Sequence, residues 1–132
     1  MSKHKIKSSQ VVIAVLLTAL AACTKTSTLL IDNTPEVTKT VSFGTDIIPI
    51  LSASCGKSGC HNGSVSPNLM AANAYNSLVN GRYIDTGNPS NSIVYLWLTG
   101  KESSTMPLGA SNNPSNINGL VLAWIKQGAK NN

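Results

Sequence analysis

Cys55-Gly56-Lys57-Ser58-Gly59-Cys60-His61 places two thiols on one short loop, with an imidazole directly after the second. Cysteines in this order can bond covalently to a haem, and the histidine that follows can turn under the ring to ligate its iron. The usual signature has two residues between the cysteines. Here there are four. The extra residues must bulge outward, which Gly56 and Gly59 ease because glycine tolerates backbone angles closed to other residues. Lys57 and Ser58 are then expected in solvent at the tip.

Working outward to the N-terminus, Lys3, His4, Lys5 and Lys7 precede an apolar run from Val11 to Ala22 broken only by Thr18. A basic opening followed by a short apolar run is a secretory signal. A dozen helical residues cover ~18 Å, short of the ~20 residues that cross a bilayer. The run ends Leu20-Ala21-Ala22-Cys23, which resembles a bacterial lipobox. That resemblance implies removal of residues 1–22, lipidation of Cys23 and a membrane anchor through its acyl chains. Thr24 and Lys25 are not an acidic pair, so a periplasm-facing outer-membrane lipoprotein is expected rather than an inner-membrane one.

Removing the signal sharpens the composition. Of the three cysteines, one is the lipid site and two form the loop pair, and His61 becomes the sole histidine. The formal charge of +5 falls to about +2, with seven bases against five acids. No basic patch remains to suggest a nucleic-acid partner.

Residues 23–41 are rich in Thr, Ser and Asn and show neither helical nor strand period, so a flexible tether is expected there. The domain proper is then 42–130, about 90 residues, a size at which the side-chain core is thin and a cofactor can serve as the missing centre. Phe43, Ile47, Ile48 and Leu51 have helical spacing after Ser42 as cap, with Pro49 expected to kink or shorten the helix. Asn73 reads as the N-cap of a helix through Leu78 and Val79 that stops at Asn80-Gly81. Ser90 to Thr99 is expected to be a further helix. Ile117, Leu120, Val121, Trp124 and Ile125 follow the i, i+3, i+4, i+7, i+8 rule, with Ser115 or Asn116 as cap and Gly128 past the end. The fold class is all-α, three to five short helices.

A haem that carries electrons needs a second axial ligand, and a thioether commonly partners histidine in cytochromes c. Met70 lies within reach of His61. Met106 is preferred, because Pro107 fixes a backbone angle in its loop and lowers the entropy lost on ordering it. The paired cysteines before His61, the Thr105-Met106-Pro107 loop and the terminal helix ending Trp124-Ile125-Lys126-Gln127-Gly128-Ala129 resemble a small monohaem cytochrome c over about Ser42 to Ala129. The resemblance implies a cytochrome c-like fold around one haem c, attached through Cys55 and Cys60, with His61 and Met106 as axial ligands. It implies one-electron transfer to periplasmic or membrane redox proteins by a monomer, with no turnover of its own. Arg82, Tyr83 and Trp97 are candidate donors to the haem propionates.

Other readings of the same residues remain open. Cys55 and Cys60 could close a small disulfide loop in a haem-free binding or structural module. A haem sensor or peroxidase would leave the sixth position free. A zinc site would lack a fourth ligand, and a thiol oxidoreductase would want a two-residue gap at the start of a helix.

Overall fold

In the computed structural model the described residues are 34–102, 104, 106–108 and 115–132. The expected signal peptide, the expected lipid site Cys23 and the first part of the expected tether lie outside them. The chain divides into Met1–Ile31 and a compact unit, Asp32–Asn132; only the second is described below. Its elements are a π-helical turn at Phe43–Ile47, α1 (Ile48–Ser54), α2 (Ala74–Asn80), a 3-10 turn at Pro89–Asn91, α3 (Ile93–Leu98) and α4 (Ser115–Lys126). Among the described residues there is no strand. The all-α expectation holds at that level.

The first helical segment starts where Ser42 caps it, its hydroxyl accepting from the Thr45 N–H at 3.3 Å. Two more of the initial N–H groups are satisfied from the far end of the chain. Phe43 N–H donates to Asn132 Oδ1 and Gly44 N–H to the Asn132 carbonyl, so the chain's last residue fills the place of the missing preceding turn. Pro49 does not end the segment. It stands at the second residue of α1, where no N–H is required, and the turn before it is widened so that Ile48 N–H reaches Phe43 O. A widened turn removes the clash that a proline ring makes with the carbonyl four residues earlier.

Two expected caps differ in detail. Asn73 occupies the N-cap of α2, but its side chain makes no capping bond; a turn in which both Asn73 and Ala74 N–H groups donate to Met70 O leads into the helix instead. At α4, Ser115 is already helical, so neither it nor Asn116 is the cap. The C-terminus matches expectation closely. Gly128 is left-handed at φ 94°, Gly128 N–H donates to Ile125 O and Ala129 N–H to Trp124 O, the two bonds of a Schellman ending.

α4 carries the core. Val121, Ala123, Trp124 and Ile125 are buried and pack with Phe43, Ile47, Leu51, Leu69, Leu78 and Leu98. Phe43 stacks at a tilt on Trp124, 4.9 Å between centroids, and Tyr75 meets both rings edge-on.

The packed part begins before Ser42, which corrects the expected boundary between tether and domain. Gln127 accepts from Val41 N–H through Oε1 at 2.8 Å and donates to Lys39 O through Nε2 at 2.9 Å. Val41 is 2% exposed. Pro35 lies so close to Gly119 that a β-carbon there would come within 2.7 Å of the Pro35 carbonyl. Residues 34–41 thus form a strap along α4, a helix whose opposite face, Ile117, Val121 and Trp124, lines a cavity.

Candidate cofactor site

The cysteine loop grows out of the end of α1. Cys55 and Gly56 N–H groups both donate to Leu51 O at 2.8 Å, which carries the helix into the loop. The loop then closes on itself, as His61 N–H donates to Cys55 O at 3.1 Å. The residues between bulge outward: Lys57, Ser58, Gly59 and Cys60 are exposed, Gly59 is left-handed at φ 78°, and Cys60 N–H turns back to Lys57 O. This is the outward bulge expected of a four-residue gap. Gly56 is not left-handed and is needed for a different reason than the expected backbone freedom, since a β-carbon there would lie 2.8 Å from Leu69 O and 3.3 Å from Met70 N. The backbone at 69–70 crosses directly over it.

That crossing segment fixes His61. Leu69 N–H donates to His61 O at 2.7 Å, and His61 Nδ1 is 3.1 Å from Pro67 O. A carbonyl can only accept, so an N–H at Nδ1 donates to it, and when the ring carries a single proton this tautomer leaves the lone pair on Nε2. A carbonyl on one ring nitrogen is the usual arrangement around a metal-ligating histidine, because it sets both tautomer and ring orientation. Pro67 was not legible as a site residue; the one signal for it was a proline six positions after the histidine.

His61, Cys55 and Met106 come together on the wall of one cavity of about 340 Å³, within the ~300–1,000 Å³ of small-molecule and cofactor sites. The rest of the wall is mainly aliphatic and aromatic: Ile47 and Leu51, Val65 and Leu69, Tyr83, Val94 and Trp97, and from α4 Ile117, Val121 and Trp124. Met106 reaches it because Met106 N–H donates to Trp97 O at 3.2 Å, which folds the loop back to the end of α3. Among the described residues no three His, Cys, Asp or Glu side chains gather to hold a bare metal ion.

No protein-family model, curated protein or solved structure matches this chain.

The other expected site residues divide. Tyr83 and Trp97 line the cavity; Arg82, left-handed at φ 59° and exposed, does not. Met70 is 48% exposed and also outside it. Cys55 and Cys60 are both free thiols in unlike settings. Cys55 is half-buried on the cavity wall, and burial pushes its thiol up, with a smaller push from Cys60 and an opposing pull from Lys57. Cys60 is exposed and absent from the wall.

An apolar cleft with a thiol, an imidazole held through Nδ1 and a thioether on its wall has the groups that could attach and ligate an iron-bearing cofactor such as a haem. Tyr83 and Trp97 could donate to propionates.

Proposed function

We propose that the chain is a cytochrome c-like one-electron carrier in which a haem held through the cysteine loop is ligated by His61 and Met106. The carrying observation is that Cys55, His61 and Met106, 51 positions apart along the chain from first to last, share the wall of one apolar cavity, with His61 Nδ1 engaged by Pro67 O.

A bound c-type haem supplies a ferric/ferrous couple whose potential a methionine ligand raises. The chain's own residues do the rest. His61 would present Nε2 and Met106 its sulfur to the iron, and the wall that would surround the group is mainly aliphatic and aromatic. With both ligands contributed by the protein no position would be left on the iron for a substrate, so the proposed role is carriage and not turnover. Cys23 as a lipid anchor, an outer-membrane periplasmic location, redox proteins as partners and a monomeric state belong to the same proposal and rest on the sequence.

The test is Met106→Ala. The ferric wild type should show the weak long-wavelength charge-transfer band of an iron–thioether bond, and the variant should lose it and fall in midpoint potential. A wild type without that band, whose reduced form binds carbon monoxide, would point instead to a sensor or peroxidase with an open sixth position.

A further inference from the structure

We infer that Tyr95 is a positioning residue for Met106: it joins the strap at residues 34–41 to the loop that carries the thioether, and so sets how firmly that ligand is held. This rests on the proposed ligation by Met106 and deepens it, since the methionine loop by itself gives no role to Thr34, 61 positions before Tyr95.

Val94, Trp97 and Leu98 of α3 line the cavity, whereas Tyr95 stands outside that lining and is 1% exposed. A buried phenol needs a partner for its hydroxyl, and the strap supplies one: Tyr95 O–H donates to Thr34 Oγ1 at 3.2 Å. The methionine loop reaches the same side chain. Lys101, at the start of that loop, places Nζ over the Tyr95 ring, 5.7 Å from its centroid, where a cation is attracted to the ring face. Lys101 N–H donates to Leu96 O at 2.9 Å. Thr99 ties the end of the helix back to the same residue, its N–H and its hydroxyl both donating to Tyr95 O, at 3.0 and 2.8 Å. Further on, the loop returns to α3 where Met106 N–H donates to Trp97 O. A helix of six residues is marginal by itself. This one holds Met106 because its buried tyrosine is held by strap and loop together.

The consequence falls on displacement of the ligand. A competing ligand binds only to the fraction of molecules in which the thioether has swung away, and its apparent affinity scales with that fraction. Freeing Tyr95 from Thr34 loosens α3 and raises the fraction without altering Met106 itself. A tyrosine that only stabilised the fold would lower Tm and leave the displacement unchanged.

The experiment uses the full chain and two variants: Tyr95→Phe, which keeps the ring and removes the hydroxyl, and Thr34→Val, which removes the partner from the strap. Before any cofactor is added, carbon-13 labelling of the methionine methyl groups reads Met106 by nuclear magnetic resonance. Both variants should move or broaden the Met106 methyl signal and leave that of Met70, which is 48% exposed and outside the cavity wall, in place. In the haem-bound form, matured in a host with a cytochrome c maturation system, imidazole is titrated into the ferric protein while the long-wavelength thioether band is followed. The midpoint should fall about fivefold in Tyr95→Phe, the factor that the net contribution of one hydrogen bond corresponds to. Thr34→Val should shift it in the same direction, and the double variant should go no further than Tyr95→Phe alone. An unchanged imidazole midpoint in both variants, whatever fall in Tm accompanies it, would overturn the positioning role while leaving the haem ligation standing. Thr34→Val decides alone where Tyr95→Phe is too unstable to purify. A wild type that takes up no haem, or shows no thioether band, would overturn the ligation on which the inference rests, whatever the methyl signals do.

Discussion

Substituting alanine at Gly56 and, separately, at Gly59 distinguishes a steric requirement from a conformational one within five residues of chain. Gly56 is not left-handed, so alanine costs it nothing in backbone angle; the penalty is the β-carbon placed 2.8 Å from Leu69 O and 3.2 Å from Leu69 C. Those are backbone atoms, and they cannot swing aside as a side-chain end would. Moving them displaces Leu69, 5% exposed in the core, and stretches its 2.7 Å bond to His61 O. Overpacking of this kind costs about 1–3 kcal/mol, and weakening the hydrogen bond adds on the order of 1 kcal/mol. For a domain of this size each kcal/mol is ~4–8 °C, so G56A should lower Tm by roughly 10–30 °C. At Gly59 a β-carbon meets nothing within 4 Å, and the cost is the left-handed backbone alone, about 1 kcal/mol. Thermal unfolding followed by far-ultraviolet circular dichroism on the wild type and both variants gives the comparison. In the proposed haem-bound form, G56A should also disturb the surroundings of His61 and G59A should not. A G56A variant that melts at or above G59A would refute the placement of the 69–70 backbone over the loop, and with it the account of how His61 is held.

Gly119→Ala should loosen the strap, because its β-carbon would lie 2.7 Å from Pro35 O; amide exchange at Val37 to Val41 should accelerate while exchange within α4 is little changed. Gln127→Ala removes both side-chain bonds to the strap and should destabilise by about 1–3 kcal/mol, measured by urea unfolding. Asp46 is held below the usual carboxylate range, first by its hydrogen bond from Lys39 and then by the Ser42 N–H. Its stabilising contribution is therefore present at neutral pH, above the unfolded value, and is lost as pH falls through the lower folded value. Asp46→Asn should flatten the decline in stability between about pH 5 and pH 3; an unchanged acid limb would count against the contact.

The helices were legible where apolar residues repeat strongly. α4 follows from Ile117 through Ile125 with Gly128 behind it, and the first segment from Phe43, Ile47, Ile48 and Leu51. The loop bulge was legible too, because Gly56 and Gly59 flank the polar pair Lys57 and Ser58. What escaped depends on contacts between distant positions. Residues 34–41 have no period of their own; Val37 and Val41 are held by α4, through a gap at Gly119 and an amide at Gln127, and a Thr-rich stretch gives no sign of that. Pro67 was hidden because its role is played by a backbone carbonyl, which every residue has. The unequal cysteines were hidden for a related reason: a motif gives the order of thiols and not the burial of each.

The central claim is most directly tested by asking whether colour stays with the chain when the fold is gone. The full chain, expressed with a cytochrome c maturation system and purified, is unfolded in acidified acetone and its visible spectrum compared with that of the supernatant. The account predicts that haem remains with the precipitated polypeptide. Haem extracted entirely into the supernatant, or a colourless protein with a Cys55–Cys60 disulfide, would contradict it.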